Sequence, residues 1–452
     1  MINDILKKHA EIRGDDVFIY VENEQINYKD FHKLVEKIAD SFDLSKNPRR
    51  VKVSFKSKKL LLASIIALNR LKKIPVIFPE RNKILKNVDY NKVGKIDCEI
   101  NDNNCIIQQK YKNIKYYTYN KKDTQCCLFT TGSSSGVPKC VELTFENIFC
   151  SSVNWNRIYN FSKNDKYLNV LPLYHISGLS IFFRSLYNNF FTRYEDYNKN
   201  ILYKILLGNK ITCLSLVPKI FNDIISLPRG MEAMKKLQFI ILGGDTIDSC
   251  IFKKCYDNNI NLYSSYGLTE SCSGISGFWI KKERDYLKGF IGYPHFNTKI
   301  FIKDGFIAIK SKTIMKKYSS ENKTNGIYIT EDKAEMLGDK ICFIGRKNHL
   351  IVSGGININL KNVENFLNER LSENEFAIVP FKDHKWGETF VVVYESDKKS
   401  FKLIKKIQFH CKNDLSDYMI PKFFINIKNI PRYSNLKINY SMLNQYVQEN
   451  LK

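Results

Sequence analysis

The chain contains no apolar run near the roughly 18 residues that a membrane-spanning helix needs. Its longest candidate, residues 60–71, is interrupted by Asn69-Arg70 and reads as a buried helix. The opening Met1-Ile-Asn-Asp-Ile-Leu-Lys-Lys has no apolar core after its charges, so no secretory signal is expected. Twelve cysteines include no C-x-x-C pair and no set with histidine at metal-ligand spacing, which disfavours a zinc centre or a disulfide framework. The one adjacent pair, Cys126-Cys127, falls in an apolar strand, where cysteine acts as a small hydrophobe. Free thiols without a signal point to a reducing, cytoplasmic setting. Lysine and arginine number 71 against 46 acids, a net charge of +25, yet no basic run reaches five residues. That spread disfavours a nucleic-acid surface and fits a general affinity for anions, or equally a pocket for a polyanionic small molecule. No nucleic-acid partner and no membrane span are expected; a homo-oligomer is left open.

What is present is a globular composition, 44% hydrophobic over 452 residues, long enough for more than one domain. An initial helix is followed by a strand at 17–21, a second strand at 25–28 and a helix to 39. Strands at 51–55 and 74–79 flank the helix at 60–71. Strand–helix–strand alternation at this spacing argues for α/β architecture. After Tyr90 the chain reads as polar and irregular, with a loop at 101–104. Thr144 looks like a helix N-cap, with Asn147 where a capping box would put Glu or Gln, an imperfect match. Strands are expected at 211–218, 237–244 and 261–266, and another at 167–173 runs through a loop into an apolar helix at 180–187. From Thr298 short strands and turns take over, including a hairpin across Asp304-Gly305. Beyond about 346 a small α+β unit is expected.

The most informative stretch is Phe129-Thr-Thr-Gly-Ser-Ser-Ser-Gly-Val-Pro-Lys139. An apolar strand that empties into hydroxyls and glycines and closes on lysine suits phosphate: backbone N–H groups approach the anion, hydroxyls donate, and lysine adds a point charge. A flexible turn explains the same residues equally well when they are taken alone. Two further strands end in polar or glycine-rich loops, before Gly243 and at Tyr266. Ligands of open α/β sheets sit at the carboxyl ends of strands, so the three loops are expected to share a site.

Read together, the loops resemble the adenylate-forming superfamily of acyl- and aryl-CoA synthetases, luciferases and peptide-synthetase adenylation domains. Thr131-Gly-Ser-Ser-Ser-Gly-Val-Pro-Lys139 resembles its T-S-G-[ST]-T-G-x-P-K loop, and Tyr266-Gly-Leu-Thr-Glu270 its Y-G-x-T-E. Gly326-Ile-Tyr-Ile-Thr-Glu-Asp332, Gly345-Arg-Lys-Asn-His-Leu-Ile351, Ser353-Gly-Gly-Ile-Asn357 and Pro431-Arg-Tyr-Ser-Asn-Leu-Lys437 resemble four more motifs in the same order. Within the superfamily, Leu171-Pro-Leu-Tyr-His-Ile-Ser-Gly-Leu-Ser180 is most similar to the o-succinylbenzoate–CoA ligases of menaquinone biosynthesis.

The resemblance implies a fold and a chemistry. The fold is a large N-terminal domain of layered sheets and helices with a distorted barrel, residues 1–347, and a small mobile α+β C-terminal domain, residues 348–452. The activity is that of an ATP-dependent acid–CoA ligase with Mg²⁺, ATP and coenzyme A. Thr130, Thr131, Ser133, Ser134, Ser135, Gly136 and Lys139 would wrap the terminal phosphates. Glu270 would hold Mg²⁺ and Thr269 touch the α-phosphate. Gly243, Gly244, Ser265, Tyr266 and Gly267 would border the adenine. Asp332, helped by Arg346, would accept from the ribose hydroxyls. Lys437 would reach the reacting carboxylate. His175 would gate the acyl pocket or touch an aromatic acid, a structural histidine being the alternative. Arg184 would pair with the second carboxylate of a succinyl chain, a solvated helix arginine being the alternative.

Departures from the family pattern fall on supporting positions. Gly132 and Ser133 are exchanged, Cys140 and Glu331 stand where glycines are usual, Ile356 replaces a glutamate, Asn348 a hinge aspartate and Leu436 a glycine. Three other readings are weighed: a G-x-S-x-G hydrolase on Ser134, disfavoured by Pro138-Lys139; an amino-acid-activating domain, disfavoured because Tyr174-His-Ile176 has no acid; and a non-catalytic nucleotide-binding relative.

Overall fold

The computed structural model describes residues 4–42, 48–78, 89–103, 119–130, 138–208, 210–245, 247, 249–282, 286–319, 327–347, 350–353, 356–371, 373–383, 387–416, 419–433 and 436–451.

Two large sheets form the body. In one, Lys166–Asn169, Cys213–Leu216, Phe239–Gly243 and Leu262–Leu268 run parallel, and the middle two, nearly wholly apolar, are buried along almost their whole length. The hairpin Val17–Val21 with Glu24–Asn27 finishes one edge, and Ser273–Trp279 with Tyr293–Pro294 the other. The second sheet runs, in spatial order, Lys317–Tyr318, Cys140–Thr144, Thr124–Phe129, Ile74–Ile77, Arg50–Ser54, Cys98–Asn101. Helices Tyr28–Ser41, Lys58–Arg70 and Ile176–Asn188 pack between them in one apolar cluster containing Phe31, Val51, Leu62 and Phe182.

The helix at 145 starts as its sequence predicts. Thr144 Oγ1 accepts from the Asn147 N–H, and the Asn147 side chain accepts from the Thr144 N–H. Asn147 also donates to the Lys312 and Ile314 carbonyls, which a glutamate could not do. The stretch after Tyr90 corrects the sequence reading. Tyr90–Gly94 is a short helix and Cys98–Asn101 an edge strand paired with Arg50–Ser54. Only Ile100 of that strand is buried, so its pattern carries almost no period-two signal.

Under the second sheet the Arg50 guanidinium donates to Glu142 Oε1 (2.8 Å), the Ser319 hydroxyl (2.6 Å) and the Cys127 thiol (3.3 Å), and Cys140 lies 3.7 Å away. These contacts tie together three strands and Ser319, the residue that follows Lys317–Tyr318. A glycine replaced by Cys140 thus serves the packing of this cluster.

The short strands expected from Thr298 form a four-stranded antiparallel sheet of Thr298–Lys303, Phe306–Ser311, Ile327–Leu337 and Lys340–Arg346. Its first turn places Asp304 at φ 52° and Gly305 at φ 79°, the two positive values of a type I′ hairpin. Beyond it, Phe376–Asp383, Gly387–Glu395 and Phe423–Ile427 form a sheet with cores of its own. Phe376 and Ile378 face helices Leu360–Arg370 and Phe401–Asp414, while Ala377 and Val379 face Tyr440–Asn450. Alternation along one strand thus serves two layers.

Candidate active site

A cavity of about 410 Å³ opens where the strand ends of both large sheets meet the four-stranded sheet and Lys437. It gathers Thr130, Lys139, His175, Arg184, Gly243, Gly244, Ser265, Gly267, Thr269, Glu270, Asp332, Arg346 and Lys437. Thr131, Ser133, Ser134, Ser135 and Gly136 lie outside the described residues. The base of that loop is pinned: the Thr130 N–H donates to the Lys139 carbonyl and the Lys139 N–H to Thr130 Oγ1, both at 2.9 Å. The Lys139 ammonium lies 4.6 Å above the Tyr318 ring, and the Tyr318 hydroxyl donates to Glu270 Oε1 at 2.7 Å.

Tyr266 is placed differently from the sequence expectation. It does not line the cavity; its hydroxyl donates to Asp332 Oδ2 at 2.7 Å. Arg346 Nε donates to Asp332 Oδ1 at 3.0 Å, from the residue directly opposite in the strand pair. Asp332, 3% exposed, therefore has one donor on each oxygen. Each oxygen keeps lone-pair capacity for a further donor. Glu331, which replaces a family glycine, still lines the cavity.

Lys437 comes in from the C-terminal unit. Gly244 sits at φ +88°, and a Cβ there would lie 3.0 Å from Lys437 Cε and 3.3 Å from Nζ, so glycine is required both for the turn and for the lysine. Burial first, then Arg346, pushes the Lys437 ammonium down to about 8, against the pull of Asp245 and Asp332. Leu436, where the family pattern has glycine, occupies the left-handed region at φ 63°. Such backbone costs a leucine about 1 kcal/mol or more. Packing of Leu436 against the core of the parallel sheet, with its carbonyl accepting from Arg432 Nη1 at 2.7 Å, offsets that strain. Glu375 bridges Arg432 to Lys219, and Lys361 reaches Asp245, so ion pairs fasten this loop's unit to the large body.

At the other side of the cavity, helix Ile176–Asn188 begins on His175. Gly178 lets it turn in: a Cβ there would lie 2.4 Å from the Pro172 carbonyl oxygen. Asn169 fixes the same turn through the Leu171 N–H and the Gly178 carbonyl. Arg184 is 2% exposed, so the solvated-helix reading fails. Its guanidinium stacks 4.5 Å from the Trp155 ring and donates at 3.4 Å to the Tyr167 hydroxyl, itself 2.5 Å from Ser215 Oγ. Arg184 Nε has no hydrogen-bond partner, and no carboxylate pairs with the side chain among the described residues.

A family model for AMP-binding enzymes matches residues 78–318, more than half of the chain. The chain belongs to the AMP-binding enzyme family. The 2-succinylbenzoate–CoA ligase of Staphylococcus aureus is 28% identical over 366 residues, covering 77% of this chain and 72% of that protein. The o-succinylbenzoate CoA synthetase of Bacillus subtilis, in complex with its acyl-adenylate intermediate, superposes with TM-score 0.84 at 21% identity, covering 98% of both chains. The same Bacillus protein with ATP and magnesium gives 0.81 at 20% identity, over 97% of this chain and 99% of the other.

In this AMP-binding enzyme, sequence reasoning missed Trp155, Tyr318 and Tyr328 in the cavity wall. Tyr328 sits inside a quoted motif; the others carry no local signal beyond being aromatic or hydroxylic. No helix among the described residues is long and apolar enough to cross a membrane.

Two histidines, the half-buried His175 and the buried His295, make the fold sensitive to acid. Burial, then Lys437, pushes His175 down to about 3, and burial, then Arg184, does the same to His295. Both stay neutral in the folded protein while the unfolded chain takes up protons below about 6.5. Stability therefore falls as pH drops from about 6.5 towards 3, by about 1.4 kcal/mol per pH unit for each histidine. His9 and His32 are lowered as well and add to the effect. The unfolding midpoint of His295→Phe is expected to fall less steeply between pH 7 and pH 5 than that of the parent; an equal slope would exclude His295 as a source.

Proposed function

We propose that the chain is an ATP-dependent acid–CoA ligase that activates 2-succinylbenzoate as its acyl-adenylate and transfers the acyl group to coenzyme A. The observation that carries the substrate is Arg184, a buried cation with an unpartnered nitrogen in an apolar wall of Trp155 and Ile241. An unpaired buried charge is costly unless a ligand completes it. A dicarboxylic aromatic acid supplies a ring for the apolar wall, one carboxylate for Arg184 and a second to react. The named relatives above act on that acid, and this chain spans nearly three-quarters of the S. aureus ligase.

In the first half-reaction a carboxylate oxygen attacks the α-phosphorus of ATP and pyrophosphate leaves. In the second the coenzyme A sulfur attacks the acyl carbon, AMP leaves and the thiol proton passes to solvent. Such transfers need positioning and charge stabilisation more than covalent help. Lys139 and Thr130 are suited to the terminal phosphates, and the carboxylate of Asp332 to a ribose diol. Gly243, Gly244, Ser265 and Gly267 leave backbone room for the adenine. Thr269 would bond the α-phosphate and Lys437 the reacting carboxylate. His175, held neutral, would shape the acyl entrance and carries no charge. Residues 348–452 would be the mobile unit that presents Lys437.

Glu270 fits a magnesium ion. One of its oxygens is engaged by Tyr318 and the other remains for a cation, while no cluster of three or more metal-binding side chains exists among the described residues. Magnesium commonly takes one or two carboxylates and fills its shell with phosphates and water. When bound it would neutralise triphosphate charge. A cytoplasmic location belongs to the same reading.

The test is ATP–pyrophosphate exchange. It is expected with 2-succinylbenzoate and not with benzoate or medium-chain fatty acids. Exchange with the latter acids alone would make the chain a general acyl-CoA synthetase, and none with any acid would leave a nucleotide-binding relative.

A further inference from the structure

We infer that Tyr318 is a positioning residue that sets the phosphate-loop lysine and the metal-binding carboxylate against each other, so that nucleotide and magnesium bind as a coupled pair. The inference rests on the functional reading above and names a residue that none of its motifs contains.

Tyr318 is 7% exposed and lines the cavity. Its ring lies 4.6 Å below the Lys139 ammonium, within cation–π range. Its hydroxyl donates at 2.7 Å to Glu270 Oε1, and Tyr328 stands 3.0 Å behind that hydroxyl. A phenol has one proton. With that proton on Glu270, Tyr328 donates into the Tyr318 oxygen, so the chain of donors runs Tyr328 to Tyr318 to Glu270.

The backbone around Tyr318 is fastened to both partners. Tyr318 pairs with Val141, two residues beyond Lys139, and the Ser319 N–H donates to the Cys140 carbonyl at 2.8 Å. On the other side the Met315 N–H donates to the Glu270 carbonyl at 2.7 Å. One short segment thus holds the main chain of the lysine and of the carboxylate, and one side chain orients both charged groups. The hydroxyl occupies one carboxylate oxygen and turns the other free for a cation. The ring supports the ammonium without neutralising it, as a carboxylate in that place would.

The two contacts can be separated. Tyr318→Phe keeps the ring under Lys139 and removes the bond to Glu270. Tyr318→Leu removes both. The measurement is calorimetric binding of α,β-methylene-ATP to the full chain, once with saturating Mg²⁺ and once with EDTA, with thermal unfolding of each variant as a check on folding. Tyr318→Phe is expected to keep its affinity in EDTA and to lose about tenfold of the gain that Mg²⁺ confers, the size of a hydrogen bond to a charged group. Tyr318→Leu is expected to lose roughly threefold to tenfold in EDTA as well, through Lys139. An unchanged Mg²⁺ gain in Tyr318→Phe would overturn the inference. Equal losses in the two variants under both conditions would overturn it too, because they would mark a merely structural ring. If the parent chain binds no nucleotide under either condition, the functional reading itself falls.

Discussion

Lys437→Ala is expected to slow acyl-adenylate formation by about 10²- to 10³-fold, the usual loss when one preorganised donor to developing charge is removed. Affinity for ATP should change far less, because the phosphate contacts assigned to Lys139 and Thr130 remain. The reason lies in the environment of the ammonium. It enters a cavity shared with Arg346 and His175, and burial lowers its pKa to about 8. Below that value the lysine is charged and able to stabilise the pentavalent phosphorus; above it the charge is lost. The exchange rate of the parent should therefore decline as pH rises through about 8. Lys437→Ala should lack this limb, because nothing titrates at the position. Pyrophosphate exchange across pH 6.5–9.5 checks both points. A variant with parental rate, or one that keeps the alkaline decline, would remove Lys437 from the chemistry.

Arg184→Leu is expected to separate stability from selectivity. In the free protein the guanidinium is buried with one nitrogen unpaired, and burial lowers its affinity for the proton. Replacing a buried, incompletely paired charge by an apolar side chain is often neutral or stabilising by about 1–4 kcal/mol. The variant should thus unfold at the same temperature as the parent or higher. With 2-succinylbenzoate its kcat/KM should fall by about 30-fold or more, the 2–5 kcal/mol typical of a truncated buried charge pair. With an aromatic monocarboxylic acid of similar length the loss should vanish. An equal loss on both acids would mean that Arg184 only supports Trp155 and Tyr167.

Much of the site was legible because its chemistry is written in short segments. Lys139, Glu270, Asp332, Arg346 and Lys437 each stand in a motif of five to nine residues, and all five line one cavity. Local interactions also decide the Thr144 cap and the Asp304-Gly305 turn, where the needed contacts lie within three residues. The strand Ser273–Trp279 was not legible. Its two glycines weaken any strand signal, and it exists because Leu262–Leu268 and Tyr293–Pro294 pair with it on either side.

By itself, then, the sequence determined the α/β alternation, the order of the loops and the residue types that meet a nucleotide, since periodicity, capping and turn chemistry act over a few positions. The tertiary structure alone decided which of those side chains face the cavity. Tyr266 turns to Asp332 across 66 positions, and Tyr318 reaches Glu270 across 48. Arg184, a residue that any exposed helix could carry, becomes an unpaired cation only because Trp155, Tyr167 and Ser215 close around it. Burial and partner choice are sums over distant segments, and no stretch of sequence contains them.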